Sequence, residues 1–151
     1  DAEGRLVLAD ALVYATRQKL DAYIDLATLT GAVVVALGSK VAGVMGNNKA
    51  LLNKVMAASV LADEPLCELP LVRDYKDQIK STIADLQNIG KARGEAGSSI
   101  GGLFLEEFVD GQPWIHLDIA GTSWSNENGS YGPKGGTGST VRTLLEYLAS
   151  L

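Results

Sequence analysis

The chain opens Asp1-Ala2-Glu3-Gly4-Arg5, which places two carboxylates and a guanidinium at alternate positions. In extended backbone alternate side chains project to one side, so Asp1, Glu3 and Arg5 would converge. Such carboxylate oxygens suit Mn2+, Mg2+ or Zn2+, and a neighbouring arginine can hold an anion with two parallel hydrogen bonds. The same string also fits a solvated helix start, where acidic side chains favour the positive end of the dipole. Spacing alone leaves both readings open.

A second candidate group is His116 with Asp118, on one face of a predicted strand in a chain with many serines. No G-x-S-x-G elbow accompanies them. Trp114 shares their face, which points to packing under helices and to a structural histidine. The glycine-rich PKGGTGST at 133–140 departs from the P-loop order because Lys134 precedes the glycines. It reads as a loop feeding the last helix, with Ser139 or Thr140 as N-cap. Cys67 is the sole cysteine, so no internal disulfide forms, and it reads as an inert buried thiol in a reducing compartment.

These groups need elements to position them. Leu8, Ala11, Leu12 and Ala15 recur at helical spacing and predict a helix over about 4–18. Tyr23 to Leu29 reads as a buried strand, 32–37 as strand or short helix, and Val41 to Met45 as another strand. Leu52, Val55, Met56 and Val60 form a helical stripe that ends before Pro65. Residues 66–86 are the least patterned, with a strand expected at Thr82 to Leu86. Gly90, Gly94, Gly97, Gly101 and Gly102 mark a surface loop running into a helix, whose apolar face is Ile100, Leu103, Phe104 and Phe108. After the Asp110-Gly111 turn, Ile115, Leu117 and Ile119 alternate with Trp114, His116 and Asp118 in a strand. Val141, Leu144, Leu145 and Leu148 share one face of the last helix. Helices interleaved with short, nearly continuous apolar strands predict one α/β domain: a three-layer sandwich with a mixed, largely parallel sheet between helices.

Bulk properties narrow the classes. The 151 residues can bury a real core, and 46% hydrophobic with 21% charged residues is ordinary globular usage. A net charge of −5 favours neither nucleic acid nor anionic lipid. No apolar run approaches the roughly 18 residues of a membrane helix. With neither initiator Met nor signal-peptide pattern at its start, the chain is expected to be a fragment or a processed product.

Five segments then resemble, in order, motifs of the leucine (cytosol) aminopeptidase family. They are DAEGRLVLADAL at 1–12, DLATLTGA at 25–32, ADLQNIG at 84–90, WIHLDIAGTSW at 114–124 and PKGGTGSTVR at 133–142. The resemblance implies that Asp1 and Glu3 ligate two divalent metals, Mn2+ or Zn2+. It implies that Arg5 anchors a bicarbonate acting as general base. Thr28, Leu29, Thr30 and Gly31 would support substrate and anion through backbone groups. Ala120 and Ser123 would line the pocket for the N-terminal side chain, and Ala2 and Ile89 the pocket beyond the scissile bond. In the family the remaining ligands and a catalytic lysine precede this signature, as do an N-terminal domain and the first part of the catalytic domain. The expectation is therefore a partial catalytic domain, inactive alone and a weak metal site at best. The complete protein would be a cytoplasmic homohexamer that cleaves peptide substrates. The alternative is a non-catalytic α/β domain for binding or assembly.

Overall fold

A computed structural model describes residues 2–92 and 94–151. Two short polar residues in extended backbone decide where helices begin. Thr30 Oγ1 accepts the Val33 N–H (3.1 Å) and opens α2, Gly31–Leu37, so the ambiguous stretch 32–37 is helical. Asn48 Oδ1 accepts the Leu51 N–H (2.9 Å) and opens α3, Lys49–Leu61. The first helix, α1, spans Ala2–Thr16, starting earlier than its apolar periodicity predicts.

Four strands form the sheet: β1 (Tyr23–Ala27), β2 (Ala42–Gly46), β3 (Leu66–Glu68) and β4 (Trp114–Asp118). Their order is β1-β4-β2-β3, with β1 parallel to β4, β2 parallel to β3, and β2 antiparallel to β4. The mixed, largely parallel sheet is the expected one. On one face lie α1 and α4 (Gly97–Glu106), whose Ala9, Leu12, Ile100, Leu103 and Phe104 pack with Trp114. On the other lie α3 and α5 (Val141–Ala149), where Leu52, Val55 and Tyr147 pack with Val44, Ile115 and Leu117. The architecture is a three-layer α/β sandwich. Central β4 is covered on both faces, so all five of its residues are buried.

The expectations for residues 82–86, for the α5 cap and for Cys67 are corrected. Residues 82–86 form no strand; a 3-10 helix at Arg73–Ile79 precedes them and only a single bridge joins Lys80 to Leu86. On α5 the apolar stripe is turned outward: Val141, Leu145 and Leu148 are 54%, 62% and 61% exposed, while Thr143 and Tyr147 are buried. The cause is at the helix start, where the Glu64 carboxylate accepts the Thr140 N–H (2.9 Å), the Thr143 N–H (2.8 Å) and the Thr143 hydroxyl (2.8 Å). Glu64, rather than Ser139 or the Thr140 side chain, caps α5. The glycine-rich loop before it carries a short ribbon of β5 (Trp124–Ser125) and β6 (Gly135–Gly136). Cys67 is a free thiol in β3, half-buried rather than buried.

Candidate active site

Because β1 and β4 are parallel, their carboxyl ends lie side by side, and the loop at 28–30 leaves the sheet there. Ligands of open α/β sheets bind outside the carboxyl ends of strands. At this edge sits Asp118, the last residue of β4 and fully buried. Its Oδ1 accepts the N–H groups of Leu29 (3.1 Å), Thr30 (3.4 Å) and Ala120 (3.3 Å). Its Oδ2 accepts the Thr30 hydroxyl (2.6 Å). That hydroxyl has spent its one proton, so at 2.9 Å the Ser98 hydroxyl, from the first turn of α4, donates to it.

Arg5 lies on the buried face of α1. Its Nη1 donates to the Asn88 carbonyl (2.6 Å), and the Asn88 side-chain amide donates to the Ala2 carbonyl (2.8 Å). Its Nε is buried with no acceptor among the described residues. Burial strips water from the guanidinium and lowers its pKa below the ordinary arginine value, an effect opposed by the nearby charge of Asp118. Helix α4 approaches at Gly101. A Cβ there would stand 3.1 Å from Leu29 Cδ2, 3.2 Å from Thr30 Cγ2 and 3.5 Å from Arg5 Nη2. The guanidinium, Leu29 and Thr30 therefore surround one spot that only glycine leaves open.

Most of the residues singled out from the sequence gather here. Leu29, Thr30 and Ala120 are tied to Asp118, and exposed Thr28 and Gly31 flank the same loop. Ala2 meets Arg5 through Asn88, beside which Ile89 is 59% exposed. Ser123 is half-buried in the turn after β4, its N–H on the Ile119 carbonyl (3.0 Å).

The expected convergence of Glu3 with Arg5 is corrected. The backbone from Ala2 onward is helical rather than extended, so side chains two apart diverge by roughly 200° around the axis. Glu3 is exposed where Arg5 is buried, and the two do not share a face. Asp1 lies outside the described residues. No three His, Cys, Asp or Glu side chains converge as a metal would require among the described residues. By themselves these residues do not fit a two-metal centre.

His116 is a tie between strands. Register pairs it with Asp25, whose Oδ1 lies 2.5 Å from His116 Nδ1 and whose Oδ2 accepts Trp114 Nε1–H at 2.5 Å. The structural reading of this histidine fits that packing. Asp118 is the residue that sequence reasoning considered with His116 and set aside as part of a packed core strand. The available signal was a carboxylate ending an otherwise apolar strand, because buried charges need several donors.

Comparison with known proteins gives the family. The model of the cytosol aminopeptidase family, catalytic domain, matches residues 1–145. A "Probable cytosol aminopeptidase" of Prochlorococcus marinus (strain MIT 9215) is 52% identical over 149 residues, covering 98% of this chain and 30% of that protein. One from Neisseria meningitidis serogroup A / serotype 4A is 52% identical over 151 residues, covering 100% of this chain and 31% of the relative. One from Geobacter sulfurreducens is 52% identical over 148 residues, 98% of this chain and 29% of the relative. The chain thus spans under a third of the length of these relatives. It belongs to the cytosol aminopeptidase family.

Proposed function

We propose that these residues are the carboxyl-terminal part of the catalytic domain of a metal-dependent aminopeptidase that releases N-terminal residues, with leucine-type preference, from peptides. One observation carries the reading within the family: a buried, under-bonded Arg5 faces the loop at 28–31, at the carboxyl edge of two parallel strands. Such a guanidinium is built to hold a planar anion through its fork. A bicarbonate held there would supply a general base. Arg5 would orient it, and the backbone of Thr28 to Gly31 would position the substrate beside it. Ala120 and Ser123 would bound the pocket for the N-terminal side chain, and Ala2 and Ile89 the pocket beyond the cleaved bond.

Glu3 is exposed, and no three potential ligands converge among the described residues. Asp1 and Glu3 would therefore be this segment's contribution to a metal set completed elsewhere in a longer protein. That protein is proposed to be cytoplasmic; no helix among the described residues is long and apolar enough to cross a membrane. Val141, Leu145 and Leu148, exposed on α5, favour further assembly, either as a homohexamer of the enzyme or as a non-catalytic binding domain. The two readings separate in one assay. The full-length, metal-loaded protein should release p-nitroaniline from leucine p-nitroanilide and lose that activity on chelation. Absence of turnover across Mn2+ and Zn2+ would leave the binding domain.

A further inference from the structure

We propose that Asp118 is a positioning residue for catalysis, whose buried carboxylate sets the direction of the substrate-facing backbone at 28–30; the inference rests on the aminopeptidase reading. Four hydrogen bonds meet on its two oxygens. Its Oδ1 gathers N–H groups from both segments assigned to the substrate cleft, Leu29 and Thr30 from one and Ala120 from the other. Its Oδ2 takes the Thr30 hydroxyl, which also caps α2 through Val33 and meets Ser98 of α4. Its charge lies close enough to Arg5 to favour the protonated guanidinium. One side chain thus orients the loop and the pocket wall.

The geometry has a directional consequence. In a planar trans peptide the carbonyl of one residue points opposite to the N–H of the next. With the Leu29 and Thr30 N–H groups drawn onto Asp118, the carbonyls of Thr28 and Leu29 turn away from it. No apolar or neutral residue at 118 reproduces this, because several donors converge on a group that must accept all of them. A neutral amide of the same shape can keep one accepting oxygen, but it loses the charge and turns its other end into a donor.

The test uses full-length, metal-loaded enzyme with leucine p-nitroanilide. Asp118→Asn and Thr30→Val should each lower kcat by about 10²-fold, the penalty of misplacing a reacting group by a fraction of its working distance. KM should change far less, and metal content should stay normal. Thr30→Ser, which keeps the hydroxyl, should stay within a few-fold of wild type. Val55→Ala, on the buried side of α3 across the sheet, controls for lost stability and should leave kcat unchanged. Amide exchange at Leu29 and Thr30 should quicken about tenfold or more in Asp118→Asn, because their acceptor is weakened. Should Asp118→Asn fail to fold, Thr30→Val decides.

Wild-type kcat in folded Asp118→Asn or Thr30→Val overturns the inference. An equal kcat loss in Val55→Ala overturns it too, since the effect would then be mere destabilisation. A wild-type enzyme that releases no leucine sinks the aminopeptidase reading instead. The exchange result then shows separately whether Asp118 holds the loop.

Discussion

Replacing Arg5 by methionine tests whether this buried guanidinium serves the fold or the chemistry. Methionine fills a similar volume along the stem and removes the charge. Two contributions are lost: the Nη1 bond to the Asn88 carbonyl and the attraction to Asp118. A hydrogen bond from a charged donor contributes about 1.5–3 kcal/mol. Taken at the screening of bulk water, the attraction to Asp118 adds about 1 kcal/mol. One contribution is gained, since burying a polar group without an acceptor, as for Nε, costs about 1–3 kcal/mol. The balance is a destabilisation of at most about 3 kcal/mol, at or below the roughly 3–5 kcal/mol seen when a fully partnered buried ion pair is broken. Activity should behave differently. If Arg5 holds the general base, kcat should fall by about 10²–10⁴-fold, with metal content unchanged and KM moving little. Urea denaturation, metal analysis and leucine p-nitroanilide kinetics across a bicarbonate titration, run on Arg5→Met and Arg5→Lys, separate the two roles. Lysine keeps the charge and loses the fork, so it should also impair catalysis and blunt the response to bicarbonate. A loss above about 3 kcal/mol would show that the guanidinium is a fully bonded structural group. Wild-type kcat with an unchanged bicarbonate response in both variants would refute the anion-anchor role.

Other outcomes follow from the same geometry. Glu3→Gln in the full-length enzyme should cost far more activity than Glu106→Gln, whose carboxylate instead pairs with Arg73 and Lys76; equal mild effects in a kcat comparison would remove Glu3 from the metal set. Residues 1–151 expressed alone should show almost no turnover of leucine p-nitroanilide with Mn2+, since no metal set converges among the described residues; turnover near that of a full-length relative would relocate the catalytic groups into this segment. Glu64→Ala should destabilise by about 1–2 kcal/mol in chemical denaturation, the usual penalty for a lost helix cap, and an unchanged midpoint would mean that α5 needs no side-chain acceptor at its start.

The sequence by itself determined the elements with strong local signals. Alternation in Trp114 to Ile119 marked the central strand, and helical periodicity marked α1, α3 and α4 within a few residues. The segments at 1–12, 25–32, 84–90, 114–124 and 133–142 pointed to the family whose model matches 1–145. These signals are local because propensity, capping and periodicity act over one or two turns of chain. Tertiary structure decided which polar groups meet. That Asp118 accepts from Leu29 and Thr30 depends on β4 lying beside β1, across 88 or 89 positions of chain. That Glu64 caps α5, and so turns Val141, Leu145 and Leu148 outward, depends on a contact across 76 and 79 positions. Helical periodicity identifies a stripe but carries no information about whether the stripe faces core or solvent. The same holds at the start of the chain, where D-x-E-x-R reads as convergent only if the backbone is extended. Helical backbone at Glu3 and Arg5 parts the two, because 100° per residue places alternate side chains on nearly opposite faces.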